Sequence, residues 1–157
     1  MRGIFEQFPS WNEDNMNLRP VTMDDQEDLK DLYAYPLKQE TVRKMIRDYE
    51  KCYKEKKEIL IGFERDHHLI GILELYHFEG DCCELGYRTC LHGRGHGYTV
   101  RAVGILLKAL KDTELHKLYA CCEKNHHASQ KILSDNGFRM IKAENQKYWY
   151  RRDLTEI

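Results

Sequence analysis

A glycine-rich hexapeptide in mid-chain, His92-Gly93-Arg94-Gly95-His96-Gly97, constrains this sequence more than any other feature. It runs straight into an apolar stripe, Val100, Val103, Leu107 and Leu110, widened by Leu106 and Ala109, with the spacing of an amphipathic helix. Glycines let a backbone approach an anion closely, and the first N–H groups of a helix have no intrahelical partner. Residues 94–99 can therefore cradle a phosphate, with Arg94 and His96 available to add positive charge. A tight turn that merely contains three glycines is the plain alternative. A Walker loop needs Gly-Lys-Ser/Thr, which is absent. A Rossmann turn follows the first strand of its domain, whereas this loop comes late.

What precedes the loop is antiparallel in pattern. Residues 58–64, 69–78 and 82–89 read as three short strands joined by turns at Asp66-His67-His68 and Glu79-Gly80-Asp81, a meander. Two helices are expected before it. The first covers 23–35, capped by Thr22, with Asp24, Asp25 and Glu27 in its first turn, and ends at Pro36. The second covers 38–56 on the apolar positions Val42, Met45, Ile46 and Tyr49. A short strand over 17–21 opens the body. After the glycine loop and its helix come a strand over 115–123, a short helix capped by Asn125 and closed at Asn136-Gly137, and a hairpin of 138–143 with 148–154. The expectation is one α+β domain, a mixed sheet with helices on both faces. Its core spans 17–154, and residues 1–16 form an arm that docks on the body or is partly mobile.

Composition excludes several classes. Lys plus Arg is 25 and Asp plus Glu is 26, so no basic excess marks a nucleic-acid or polybasic membrane-surface protein. No apolar run approaches the roughly 18 residues of a membrane span, and the first residues lack the apolar core of a signal peptide. Six cysteines in such a chain are expected as free thiols, and the expected address is the cytoplasm. Cys82-Cys83 and Cys121-Cys122 cannot chelate one ion, because adjacent strand residues face opposite ways; no metal is expected, and one cysteine of each pair is expected to be buried.

The order of blocks resembles the GNAT acetyltransferase superfamily. The matching residues are Leu18-Arg19-Pro20, Glu84-Leu85-Gly86-Tyr87, Arg94-Gly95-His96-Gly97-Tyr98-Thr99, Leu115-His116-Lys117-Leu118, and Ala128 to Leu133 through Gly137-Phe138. The details are most similar to the branch with ribosomal-protein alanine and spermidine acetyltransferases. The resemblance implies a mostly antiparallel central sheet splayed at the cofactor site, and acetyl-coenzyme A held in the gap. It implies that Arg94, Gly95, His96, Gly97, Tyr98 and Thr99 hold the pyrophosphate and that the end of the preceding strand, Tyr87, Arg88 and Thr89, pairs with the pantetheine arm. Asn125 and Ser129 line the other side. The function expected is transfer of an acetyl group to a primary amine, on a protein N-terminus or a small molecule, by direct attack in a ternary complex. Homodimers are common among relatives.

Attack by an amine requires a proton to be removed. Glu84, at a common acidic position of the family, is the first candidate for that work and Glu74 the second; an exposed carboxylate or an ion pair is the alternative for each. Tyr33, Tyr35 and Tyr148 correspond to the entrance that accepts the amine. Three departures from the family pattern stand out. Thr99 replaces the usual Gly or Ala, and its hydroxyl either reaches a phosphate or crowds it. Counting back from Gly137, the family's Asn falls on His126, one residue after Asn125. Leu133 replaces the Tyr that protonates the departing thiolate, leaving Ser129 as a possible substitute. Leu133 also favours the alternative function, a catalytically silent coenzyme A-binding module acting through a partner. A scaffold without cofactor is a further rival.

Overall fold

The computed structural model describes residues 3–156. Eight strands form one sheet: β1 (Trp11–Glu13), β2 (Met16–Pro20), β3 (Ile59–Arg65), β4 (His68–Glu79), β5 (Cys82–Thr89), β6 (Lys117–Glu123), β7 (Arg139–Glu144) and β8 (Lys147–Asp153), in the spatial order β1-β2-β3-β4-β5-β6-β8-β7. Every neighbouring pair is antiparallel except β5 and β6. The helices are α1 (Gln26–Leu29), α2 (Gln39–Lys54), α3 (Tyr98–Leu110) and α4 (His127–Asp135). Among the described residues no helix is long and apolar enough to cross a membrane. The α+β class and the mixed, mostly antiparallel sheet are as expected.

Two-residue turns set the register. Asp14-Asn15, Asp66-His67 and Asn145-Gln146 all have positive φ at both positions, the left-handed geometry that matches the twist of a tight hairpin. The parallel β5–β6 pair needs a crossover, which α3 supplies. Two cores lie on the two faces of the sheet. On one, Val103, Leu106 and Leu110 of α3 and Leu133 of α4 pack on Phe63, Leu73, Leu85 and Leu118. On the other, Leu29, Leu32, Val42 and Ile46 pack on Leu60 and Ile72. Each such side chain contributes about 1.5–3 kcal/mol by leaving water.

The helix expected over 23–35 is cut short. Its start is as predicted: Asp24 N–H donates to Thr22 Oγ1 (3.2 Å) and Thr22 N–H to Asp25 Oδ2 (2.8 Å). After Leu29 the chain leaves the helix, and its next carbonyls are taken from elsewhere: that of Lys30 by the Leu37 N–H at 2.9 Å and that of Asp31 by the Leu91 N–H at 2.9 Å. These bonds outcompete propensity. The arm is also more integrated than expected. Ile4 is buried and its N–H donates to Glu114 (2.7 Å), Phe5 and Phe8 pack around Tyr53, and β1 extends the sheet. The body therefore begins before residue 17.

Candidate functional site

The parallel pair is the origin of the site. β5 and β6 are in register only at Cys82–Lys117, Cys83–Leu118 and Glu84–Tyr119. Beyond that fork β5 continues on β4 as far as Thr89, and β6 continues on β8 as far as Glu123. The two strands separate, and each presents an edge to the gap. Unpaired edge groups need partners, and a chain of amides laid between the strands would supply them. At the gap, the Tyr87 hydroxyl bonds Ser129 Oγ (2.6 Å) and the Ser129 carbonyl (3.2 Å), tying β5 to the first turn of α4. Burial pushes the Tyr87 hydroxyl well above the usual phenol range.

At the end of β5 the glycine loop turns into α3. Gly95 and Gly97 have φ of +81° and +73°, and a Cβ at either would meet nothing within 4 Å. The glycines are thus demanded by the backbone conformation, and open space lies in front of them. Gly97 caps α3 without a side-chain bond, and the first helical bond runs from Arg101 N–H to the Gly97 carbonyl. The N–H groups of Tyr98, Thr99 and Val100 remain for a ligand, at the positive end of the helix dipole. This cradle fits a diphosphate. The loop's side chains are less available than its main chain. Thr99 is buried with its hydroxyl bonded to Thr89; Arg94 Nε donates to the Thr89 carbonyl (3.3 Å); the His96 ring stacks on Tyr98 at 5.1 Å.

The loop is anchored at its start. His92 Nδ1 contacts Asp31 Oδ2 (2.7 Å) and Nε2 contacts the Leu69 carbonyl (2.8 Å). Burial alone would lower the His92 pKa, but Asp31 and the Leu69 carbonyl outweigh it and raise the pKa. The candidate ligand atoms of Asp31, Cys90 and His92 lie within 4.8 Å of one another. Both ring nitrogens are already engaged, so the group serves as a clasp.

Paired strand residues share a face, so the register gathers Leu60, Glu74 and Gly86 in one row under α2, with Tyr76, Glu84 and Tyr119 in the next. Glu84 sits in the last pair before the fork, and its carboxylate contacts His77 Nδ1. Glu74 accepts a hydrogen bond from the Tyr49 hydroxyl (2.9 Å); burial pushes its carboxyl above the usual range despite that bond. Burial pushes the Tyr76 hydroxyl up to about 12. Tyr33 stacks on Tyr35 at 5.8 Å, and the Arg88 guanidinium lies 4.3 Å over the Tyr33 ring. Arg88, expected beside the cofactor, thus lies with Tyr33 on the α2 face of the sheet. A cavity of about 300 Å³ lined by Phe8, Val21, Tyr49, Tyr53 and Leu60 lies farther under α2, away from the glycine loop.

Two expectations need correction. Asn125 does not cap α4. It lies exposed in the preceding turn, and His126 is the cap, its Nδ1 accepting the Ser129 N–H at 3.0 Å. The count back from Gly137 gives the right position. Tyr148 does not join Tyr33 and Tyr35. It pairs with Cys122 and packs toward the α3–α4 core, while Trp149, opposite Cys121, shares the face of Glu84. Sequence reasoning missed Tyr49, Tyr76, His77 and the Asp31–His92 clasp; only Tyr49 carried a signal, its place on the apolar stripe of α2. Leu133 is fully buried, whereas Ser129 lies beside the gap. Cys83 and Cys122 are the buried members of their pairs, and all six cysteines are free.

The chain matches the family model of the Acetyltransferase (GNAT) domain over residues 15–139. No curated protein matches it. Among solved structures it is similar to a candidate ribosomal-protein-serine acetyltransferase from Vibrio cholerae, with a TM-score of 0.79 at 17% identity, covering 92% of this chain and 97% of that one. It is similar to a ribosomal-protein-S5-alanine acetyltransferase from Vibrio fischeri, with a TM-score of 0.77 at 15% identity and coverage of 94% and 97%. It is also similar to the microcin C7 self-immunity acetyltransferase MccE in complex with acetyl-CoA and AMP, with a TM-score of 0.77 at 14% identity and coverage of 90% and 93%.

Proposed function

The chain belongs to the GNAT acetyltransferases, enzymes whose acetyl donor is acetyl-CoA, and from that premise we propose that it acetylates a primary α-amine at a protein N-terminus by direct attack in a ternary complex. The observation that carries this reading is the fork: the sheet opens one residue beyond Glu84, with free helix N–H groups at the far end of the same strand. Bound acetyl-CoA supplies the thioester carbonyl. The N–H groups of Tyr98 to Val100 hold its diphosphate, and the gap-facing edges of β5 and β6 take the amide arm.

The amine must be neutral to attack. For a lysine-like amine of pKa about 10.4 the neutral form costs about 4–5 kcal/mol at pH 7, and for an α-amine near 8 only about 1 kcal/mol. Glu84, partly buried at the fork, accepts the proton directly or through a water. Glu74 is the second carboxylate on this face; Tyr49 occupies one of its oxygens, and it orients the incoming ammonium beside Tyr33 and Tyr35. Ser129, bonded to Tyr87, donates toward the departing sulfur. A thiol of pKa about 8.5 leaves with modest help, which makes the loss of a Tyr at Leu133 tolerable. The cytoplasm is the proposed address. A homodimer belongs to the same proposal; β7, exposed along its whole length and last in the sheet, offers the contact edge.

The test is thiol release from acetyl-CoA with peptides beginning in Ala or Ser, spermidine and free lysine as acceptors. The peptides should turn over fastest, with intersecting initial-rate patterns. Parallel patterns would replace direct attack by an acetyl-enzyme. Coenzyme A binding without turnover on any acceptor would make the protein a silent module, and absence of binding a scaffold.

A further inference from the structure

His77 takes a left-handed backbone conformation where a strand does not ordinarily have one. Among the described residues eight non-glycine residues have positive φ, and seven lie in hairpin turns or just past the end of α2; His77, at φ +50°, is inside a strand. The cause is a bulge. Tyr76 pairs with Glu84 and Glu79 with Cys82, so His77 and Phe78 together oppose Cys83. A left-handed bulge residue is ordinarily glycine, and an L-residue held there is strained. Phe78 uses the bulge to pack on Phe5 (4.8 Å), which accounts for the extra residue but not for a histidine in it. The imidazole edges onto Tyr76 (4.7 Å) and meets the Glu84 carboxylate through Nδ1. The Glu84 side chain is 18% exposed and that of His77 is 73% exposed. Nε2 has no bonded partner among the described residues.

The reaction has a proton to dispose of. An ammonium enters and an amide leaves; the C–N bond forms as the C–S bond breaks, and the sulfur keeps one proton. One proton per turnover is left over and must reach water. We propose that His77 is the positioning and relay residue for this step. It sits against the Glu84 carboxylate at the fork through Nδ1: Nδ1 takes the proton that Glu84 has received from the amine while the exposed Nε2 releases its own proton to water, and tautomer exchange through solvent resets the ring. The inference rests on Glu84 as the base of the proposed reaction.

Three variants test it: His77→Gly, His77→Gln and Glu84→Gln, assayed by thiol release with the best acceptor of the panel. His77→Gly suits the bulge backbone, so the protein should fold and melt no lower than the parent. Its kcat should fall about tenfold or more, less than the roughly 10²–10⁴ of direct proton transfer because His77 acts through Glu84, with coenzyme A affinity unchanged by calorimetry. Free imidazole in the buffer should restore most of the rate of His77→Gly, and none of the rate of Glu84→Gln. His77→Gln, which keeps a hydrogen-bond donor beside Glu84 but cannot take up and pass on a proton, should be slow. His77 variants at the parental rate beside a slow Glu84→Gln would overturn the relay alone, as would a deficit that imidazole leaves untouched. A Glu84→Gln variant at the parental rate would instead remove the base.

Discussion

On the α3 side of the gap, the groups proposed to hold the donor are main-chain N–H groups from a few consecutive residues around Gly97. On the α2 side those proposed to meet the amine are side chains gathered from the segment after α1, from α2, β4 and β5: Tyr33, Tyr49, Glu74 and Glu84. The first kind of site is specified locally, by glycines and a helix start, and tolerates any side chain that leaves the backbone alone. The second depends on strand register and on bonds distant in sequence. Donor binding and amine chemistry should therefore fail separately under mutation.

The separation is expected to show at Gly97 and, more strongly, at Glu84. Gly97→Val asks a β-branched residue to hold φ +73°, which costs about 1–2 kcal/mol even for an ordinary L-residue, and sets a side chain in the cradle. Coenzyme A affinity by calorimetry should drop at least about tenfold while the melting curve stays cooperative; unchanged affinity would reduce the loop to a turn. Glu84→Gln should do the reverse, lowering kcat by roughly 10²–10⁴ with coenzyme A affinity kept, most severely for high-pKa amines. Equal losses in both quantities would erase the distinction between the two sides.

Two smaller effects sharpen it. The Glu74 carboxyl is raised by burial, so its protonated form is the one the fold favours. Its stabilising effect is present below the ordinary glutamate pKa and is lost as pH rises through the raised value. Glu74→Gln keeps a bond to Tyr49 without the charge and should raise the melting temperature at pH 7 by roughly 2–4 °C, the effect of about 1 kcal/mol in a domain this size. The advantage should vanish in acid, followed by thermal melts across pH; an advantage that persists there would point to packing instead. On the other side of the gap, His126→Ala removes the α4 cap and should cost about 1 kcal/mol, while Asn125→Ala should be silent in the same denaturation series.

The contrast between main-chain and side-chain sites also decides how much could be read from the sequence. The glycine loop, the α3 stripe and the final hairpin were legible because each rests on short-range periodicity or turn chemistry. The split in the sheet and the acetyl donor came from the resemblance, not from composition. The short α1 was not legible, because Lys30 and Asp31 are ordinary helix residues until Leu37 and Leu91 take their carbonyls. Asn125 and His126 can both accept a hydrogen bond at a helix start, so only the register from Gly137 separates them. Alternation says that Tyr148 and Trp149 face opposite ways; the pairing of Trp149 with Cys121 says which one faces Glu84. Nothing in the sequence around His77 signals a bulge, since neither glycine nor asparagine occupies it.

Asp31 belongs to both sides at once. Its carbonyl and its carboxylate hold Leu91 and His92 at the root of the glycine loop, and two residues later the same segment presents Tyr33 to the acceptor face. A mechanical joint of one residue therefore links the glycine loop to the segment that carries Tyr33. As pH climbs through the raised His92 pKa, the ring loses one of its two protons and one acceptor goes without a donor, which slackens that joint.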